Sequence, residues 1–143
     1  MIRLLAVKDV QTIGLYIKDD RFNCCEFRDF WTEEELRDWI ENVDDITLGY
    51  FVEEELVGFC LSHCNKKISK VYIENIFVAP QFRRQGIATQ LLASLLDECK
   101  KAYADKIFRY IALVEKNNIP AIESLKKAGF NIGETMYWIQ KNK

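Results

Sequence analysis

A short basic segment between an apolar strand and a helix has the residue types of an anion-binding turn. The strand ends at Val78-Ala79-Pro80, Arg83 and Arg84 follow, and Gly86 stands directly before an apolar helix. The first amides of a helix have no intrahelical acceptor, and the helix dipole favours negative charge there. Gly86 and the small Ala88 would let a phosphate approach the backbone, and the arginines would add charge-assisted hydrogen bonds. The segment therefore predicts a phosphate site; the alternative is a solvated basic loop.

The carboxylate of Glu74 is the candidate general base. It interrupts a run of apolar and aromatic residues over 70–78. A carboxylate in such a strand requires a wet cleft or a partner. The alternative is a glutamate at a wet strand end or one held by structural hydrogen bonds. Strand alternation predicts that Glu74 shares a face with Tyr72, Ile76 and Val78, away from Ile73, Asn75 and Phe77.

His63 is the single histidine of the chain and lies between Cys60 and Cys64. Tetrahedral zinc needs a fourth ligand, and no second Cys/His pair is present. We therefore expect no metal, and we expect His63 to be a surface or acceptor-site residue. The five cysteines are odd in number, and Cys24 and Cys25 are adjacent. This pattern indicates free thiols and a cytoplasmic location.

Charge is divided unevenly along the 143-residue chain. Residues 19–55 hold fourteen acidic side chains against three arginines, a net of −11, so the remainder carries +9 in a chain of net charge −2. The acidic segment would repel phosphate, which argues against a nucleic-acid partner. Carboxylates such as Glu33, Glu34 and Asp38 would either attract a cationic amine or form a solvated helix face. The interleaved aromatic residues would suit an ammonium ligand or pack as core; they are Phe22, Phe27, Phe30, Trp31 and Trp39.

The elements that must position these residues alternate in type. Apolar periodicity and turn residues predict strands at 2–6, 46–52, 56–62, 70–78, 107–114 and 130–140. Helices are predicted at 7–17 and at 121–128. Two further helices are predicted, one that begins after the capping box at Thr32 and one that begins at Ile87. This order predicts one α/β domain over residues 1–143. No apolar run is long enough for a membrane span and no leader cleavage pattern is present, so no membrane partner is expected.

The basic turn resembles that of the GNAT superfamily of CoA-dependent N-acetyltransferases. Arg83 to Ala88 is similar to the family's Arg/Gln-x-x-Gly-x-Gly/Ala turn, which binds the CoA pyrophosphate. Asn118-Ile119-Pro120-Ala121, followed by Gly129-Phe130, resembles the family's Asn-x-x-Ala segment, whose asparagine contacts the pantetheine arm. A P-loop or a Rossmann fingerprint would need different glycine spacings.

The resemblance implies a fold, a cosubstrate and a site for it. The fold would be a mixed, mostly antiparallel α/β sheet of six to seven strands with helices on both faces. Its fourth and fifth strands, at 70–78 and 107–114, would splay apart around the pantetheine of acetyl-CoA, and a fourth-strand amide would polarise the thioester. The implied cosubstrate-binding residues are Ile76, Phe77, Val78, Arg83, Arg84, Gln85, Gly86, Ile87, Ala88, Thr89 and Asn118.

The chain departs from the family pattern at its proton donor. Many members place a tyrosine seven residues after the motif asparagine, and this position is Leu125 here. Because a thiol has a pKa of ~8.5, thiolate is already a tolerable leaving group, and the loss should slow transfer without abolishing it. Tyr137 is the candidate substitute, with a core or surface tyrosine as the default alternative.

The resemblance also implies the reaction. An acetyl group would move from acetyl-CoA directly to a primary amine of a small molecule or peptide, with Glu74 and Tyr137 as the catalytic residues. One alternative is a CoA-binding sensor that has lost activity; another is an enzyme for other acyl groups. The expected partner is the amine substrate, without nucleic acid or membrane, and a homodimer is left open.

Overall fold

The computed structural model describes residues 1–18, 31–107, 109–134, 139 and 141. The strands are β1 (Ile2–Leu4), β2 (Thr47–Val52), β3 (Glu55–Asn65), β4 (Lys70–Val78) and β5 (Arg109–Ala112). The helices are α1 (Val10–Lys18), α2 (Glu33–Glu41), α3 (Ile87–Tyr103) and α4 (Ile119–Lys127). Short 3₁₀ turns lie at Val7–Asp9, Pro80–Phe82 and Ala104–Lys106.

The sheet is mixed and mostly antiparallel, as predicted. Its strand order is β1-β2-β3-β4-β5, with antiparallel pairing up to β4 and a parallel pair between β4 and β5. The predicted count of six to seven strands is too high for the five found in the described residues. Residues 130–134 of the expected last strand are not in strand conformation, and this stretch includes Gly133 and polar residues that form strands poorly. Residues 135–138 and 140 lie outside the described part of the chain.

Helices cover both faces of the sheet and create two apolar cores. In the α3/α4 core, Leu91, Leu92 and Leu95 are completely buried. In the α1/α2 core, Ile13 and Leu36 are completely buried. Burial of each such side chain stabilises the fold by roughly 1.5–3 kcal/mol. The central strands are therefore fixed from both sides.

The predicted capping box sets the start of α2. Oγ1 of Thr32 accepts from the amide of Glu35 at 3.1 Å, and Oε2 of Glu35 accepts from the amide of Thr32 at 2.6 Å. Such a cap contributes about 1 kcal/mol. One turn later, Nε1 of Trp39 donates to the carbonyl of Ser62 on β3 at 2.8 Å. The cap fixes where α2 begins, and the Trp39 hydrogen bond fixes the helix against β3.

A β-bulge interrupts the pairing of β3 with β4. Leu61 pairs with Asn75, but the next residue, Ser62, pairs with Ile73. Glu74 is therefore an extra residue on β4 that has no register partner on β3. A bulge shifts the alternation of side chains by one position.

The shift corrects the predicted faces of β4. Ile73 belongs to the α3/α4 core, and Ile76 and Val78 pack against that same core. Phe77 belongs to the α1/α2 core, and Glu74 opens towards α2. The expectation that Glu74 shares a face with Ile76 and Val78 is wrong, because it assumed an uninterrupted strand.

The pairing of β4 with β5 ends well before β4 does. Its last register pair is Ile73 with Ala112, whereas β4 continues to Val78. The early end matches the divergence expected of the fourth and fifth strands. It leaves a gap beside the second half of β4.

Candidate active site

The amino-terminal end of α3 is open to a ligand. Gly86 is its N-cap with a φ of 78°, a left-handed conformation that costs a residue with a side chain roughly 1–2 kcal/mol. None of the described side chains caps this end of the helix. The amide of Gln90 donates to the carbonyl of Gly86 at 3.0 Å, so the amides of residues 87–89 precede the first amide that has an acceptor within the helix. These amides and the helix dipole together favour an anion.

Two arginines stand in the loop that enters α3. Nε of Arg83 donates to the carbonyl of Val78 at 2.8 Å, and its guanidinium carbon lies 5.9 Å from the ring centre of Phe77. This arrangement ties the loop to the end of β4 and leaves the exposed Nη groups able to donate to an anion. Arg84 is exposed and has a φ of 61°, so it bends the loop. Both arginines can add positive charge beside the open amides.

Several residues predicted to bind the cosubstrate can contribute their backbone only. Ile87 is 4% exposed in the α3/α4 core, and Phe77 is 5% exposed in the α1/α2 core. Gln85 is exposed, whereas Ala88 and Thr89 are half-buried in the first turn of α3. The turn therefore presents mainly amides and two guanidinium groups.

A polar residue follows β5, the strand that diverges from β4. Half-buried Ile76 and Val78 lie on β4 beyond its last pair with β5. Asn118, after β5, is the N-cap of α4, and its Oδ1 accepts from the amide of Ala121 at 3.4 Å. Its amide NH₂ group is a further donor, since the cap uses the oxygen. An unpaired strand edge and a free amide donor are both groups that bind an extended ligand with amide groups.

The position of the family tyrosine is part of the protein interior. Leu125 is 8% exposed and packs in the α3/α4 core. Its side chain has no proton to donate. Tyr137, the predicted substitute, lies outside the described residues.

A pocket of about 450 Å³ opens between α2 and the sheet. Three of its lining side chains are carboxylic acids and two are indoles. The lining residues are Trp31, Asp38, Trp39, Asn42, Asp45, His63 and Glu74. Negative charge beside aromatic rings favours an ammonium ligand. We call this the acceptor pocket.

The acceptor pocket brings together only part of the predicted acidic and aromatic set. Trp31 and Trp39 meet edge to face, with ring centres 5.4 Å apart and planes at 75°. Asp38 lines the pocket, whereas Glu33 and Glu34 on the same helix do not. The residues Phe22, Phe27 and Phe30 lie outside the described part of the chain.

A buried carboxylate holds the ring of His63. Nδ1 of His63 lies 3.0 Å from Oδ1 of Asp45, whose side chain is 3% exposed. The same Oδ1 accepts from the amide of Cys64 at 2.8 Å. The sequence carried no signal for this pair, because eighteen residues separate its members and only the path of the loop after α2 brings them together.

A buried acceptor next to Glu74 has no partner. Oδ1 of Asn75 is inaccessible to solvent and makes no hydrogen bond within the described residues. Leaving such a group unsatisfied costs about 1–3 kcal/mol.

The cysteines near His63 point to the other side of the sheet. Cys60 and Cys64 belong to the α3/α4 core, whereas His63 lines the acceptor pocket. Burial raises the pKa of the Cys60 thiol well above its usual range and that of Cys99 to about 12. Within the described residues, no three His, Cys, Asp or Glu side chains are placed to hold a metal ion.

The described residues thus combine an open helix start behind a basic loop, a strand pair that diverges, and an acidic pocket beside the bulge of β4. The family described as "Acetyltransferase (GNAT) family" matches residues 17–130. The chain belongs to this family. It is an acyltransferase, and its cosubstrate is acetyl-CoA.

Relatives and solved structures agree with this membership. An N-alpha-acetyltransferase of Sulfurisphaera tokodaii is 28% identical over 130 residues, which are 90% of this chain and 76% of the relative. An aminoglycoside acetyltransferase from an uncultured soil metagenomic sample has the same fold, with a TM-score of 0.80, 15% identity, and coverage of 100% and 96% of the two chains. A PaiA N-acetyltransferase of Thermoplasma acidophilum, solved with coenzyme A, has a TM-score of 0.79 at 20% identity, over 95% and 92%.

None of the helices in the described ranges is both long and apolar enough to span a membrane.

Proposed function

We propose that this protein transfers the acetyl group of acetyl-CoA directly to a primary amine of a cationic small molecule or peptide. One observation carries the proposal: Glu74, a residue of the acceptor pocket, is the bulged residue directly after Ile73, where β4 parts from β5. The amine would enter through the pocket and the thioester through the gap. The two would meet at the bulge.

Acetyl-CoA would bind along the path from α3 to the bulge. Its pyrophosphate would accept hydrogen bonds from the first amides of α3 and from Arg83 and Arg84. Its pantetheine arm would lie beside Ile76 and Val78 and contact Asn118 across the gap. The open helix end and the early end of the β4–β5 pairing support this path.

Glu74 would contact the ammonium group of the acceptor and take its proton. A free alkylamine has a pKa near ~10, so the acceptor arrives protonated and must lose a proton before it can attack. The neutral nitrogen then forms a bond to the thioester carbon while the carbon–sulfur bond breaks and CoA leaves as a thiolate. The second nitrogen proton then restores the group that protonates the thiolate. Exposure of Glu74 in the pocket supports this role.

The departing thiolate would have no tyrosine at the family position, since Leu125 is buried there. Tyr137 is the proposed donor. Tyr137→Phe is then expected to lower kcat and leave both KM values unchanged. If kcat is unchanged, the proton that the thiolate receives comes from the acceptor nitrogen or from water.

The acceptor class is proposed from the charge of the pocket and from the relatives. Asp38, Asp45 and Glu74 line it together with two indoles. The relative from S. tokodaii is called an N-alpha-acetyltransferase, and the structural neighbours include aminoglycoside acetyltransferases. Both names describe amine acceptors, so peptides with free N-termini, aminoglycosides and polyamines form the test panel.

A thiol-release assay over that panel tests the function. We expect CoA release that depends on both substrates, with cationic amines preferred. Saturable acetyl-CoA binding without thiol release for any amine would instead support a CoA-binding sensor. Glu74→Gln should lower kcat by about 100-fold, and the exposed Glu55→Gln is the matched control. Equal turnover of Glu74→Gln and wild type at every pH would remove Glu74 from the mechanism.

The proposed location is the cytoplasm. Cys60, Cys64 and Cys99 are free thiols in the structure. Reduced cysteines are typical of cytoplasmic proteins.

A further inference from the structure

The acceptor pocket contains a histidine in a fixed orientation. Nδ1 of His63 lies 3.0 Å from Oδ1 and 3.2 Å from Oδ2 of Asp45. Asp45 is almost fully buried and also accepts from the amide of Cys64, so it is anchored to β3. An ionised carboxylate only accepts hydrogen bonds. Nδ1 therefore carries the ring proton, and Nε2 carries the lone pair.

His63 and Glu74 share one wall of the pocket. His63 pairs with Tyr72 across β3 and β4, and Glu74 is the bulged residue two positions further along β4. Diagonal neighbours on one face of a sheet lie within reach of long side chains. The His63 side chain is 49% exposed, so its ring is accessible from the pocket.

The other charged side chains that line the pocket are all acidic among the described residues. Asp38 lines it from α2, Asp45 from the following loop and Glu74 from β4. Carboxylates stabilise positive charge on an imidazole, as the buried aspartate of a Ser-His-Asp triad does. The surroundings therefore suit a ring that receives a proton.

We propose that His63, oriented by Asp45, receives through Glu74 the proton that the bound ammonium loses before it attacks the thioester. The inference rests on the proposed acetyl transfer. The proton moves from nitrogen to the Glu74 carboxylate and from there to Nε2 of His63, which later releases it to water. Imidazole is the side chain that most often serves as a general base in enzymes. Asp45 is a positioning residue in this scheme.

Nuclear magnetic resonance tests the orientation without an activity assay. Because His63 is the single histidine of the chain, the ¹⁵N signals of its ring can be assigned directly in tag-free protein. We expect the neutral ring to be protonated at Nδ1. Asp45→Asn keeps an oxygen for the Cys64 amide and presents its NH₂ group to Nδ1, so the ring proton should move to Nε2. A wild-type neutral ring protonated at Nε2 would overturn the proposal.

Kinetics test the proton transfer itself. His63→Gln and Asp45→Asn should each lower kcat by about 100-fold at neutral pH and change the dependence of kcat on pH. The KM for acetyl-CoA should not change. Because the pair acts as a unit, the double variant should be no slower than the slower single variant. Asp44→Asn, which makes the same charge change one residue earlier and outside the pocket, is the matched control.

The outcomes separate this inference from the function on which it rests. If His63→Gln keeps the wild-type kcat and pH profile while wild type releases thiol, the histidine has no role and the acetyl transfer stands. If wild type releases no thiol with any amine, the proposed function fails instead. His63 is exposed, so His63→Gln should fold; if it melts below wild type, His63→Asn replaces it. A wild-type pH profile in either folded variant overturns the proposal.

Discussion

Arg83 binds its own loop to the end of β4, because its Nε donates a 2.8 Å hydrogen bond to the carbonyl oxygen of Val78. The neighbouring Arg84 is exposed, and its φ of 61° places it at the bend of the same loop. The two arginines therefore differ in structural role although both bring positive charge to the start of α3. This difference makes their substitutions distinguishable.

Arg84→Gln is expected to weaken acetyl-CoA binding by about 5-fold, through loss of one exposed charge worth up to about 1 kcal/mol. Arg83→Gln should weaken it more, because the loop also loses its bond to Val78. Titration of acetyl-CoA against each variant by calorimetry measures both effects. Arg37→Gln, exposed on α2, is the control. Equal effects of the two loop substitutions would show that the bond to Val78 does not order the site.

Gly86→Glu should reduce acetyl-CoA affinity by at least about 10-fold. The substitution puts a carboxylate where the pyrophosphate is proposed to bind and forces a side chain into a φ of 78°. The dissociation constant is the measurement, with thermal melting to confirm folding. Gly133→Glu makes the same change at an exposed glycine with open space around it. Intact affinity in Gly86→Glu would mean that the phosphate turn is misassigned.

Asp38→Asn is expected to raise the KM of a cationic acceptor by about 5-fold and to leave acetyl-CoA binding unchanged. Asp38 lines the acceptor pocket, whereas Glu33, the first residue of α2, does not. Glu33→Gln is therefore the matched control and should keep the wild-type KM. Steady-state kinetics at low ionic strength give the largest difference. Similar increases of the acceptor KM in both variants would indicate a long-range electrostatic effect of the α2 carboxylates and not a contact of Asp38 with the acceptor.

The ion pair between Arg3 and Asp9 should make the free energy of unfolding depend on pH in the acid range. Burial alone would raise the pKa of Asp9, but hydrogen bonds from Arg3 and from the amide of Ala6 outweigh it, and the pKa is lowered. A lowered pKa in the folded state adds stability above the unfolded pKa, and this stability is lost as pH falls through the folded pKa.

Arg3→Met should therefore destabilise the fold by about 2 kcal/mol at pH 7. The difference from wild type should shrink as the pH falls from about 5 to about 2, when the Asp9 carboxylate becomes protonated. Urea unfolding at several pH values measures it, with the exposed Lys100→Met on α3 as control. A pH-independent difference would show that Arg3 contributes by packing, since its guanidinium also lies 3.8 Å from the ring centre of Phe51.

Local features of the fold were predictable because neighbouring residues decide them. The capping box of Thr32 and Glu35 forms as its spacing predicted. Gly86 precedes α3 and has the left-handed backbone that favours glycine at this position. Both depend on hydrogen bonds and backbone angles within one turn of chain.

The wall of the acceptor pocket was only partly predictable. Glu74 was singled out because a carboxylate is unexpected in an apolar strand, and it does line the pocket. Its face was predicted wrongly, since a bulge is set by the register against β3 and not by the sequence of β4 alone. The count of strands was likewise too high, because β-propensity does not guarantee a pairing partner.

By itself the sequence determined the family, the basic turn before α3, the order of strands and helices as far as α4, and the missing tyrosine at Leu125. These features depend on residue types that lie close together in the sequence, so they can be recognised without knowing how distant segments pack. The tertiary structure decided that Glu74 opens towards α2 and that Asp45 reaches His63. Both depend on how distant segments are brought together by burying the two apolar cores, and that packing is a property of the whole chain.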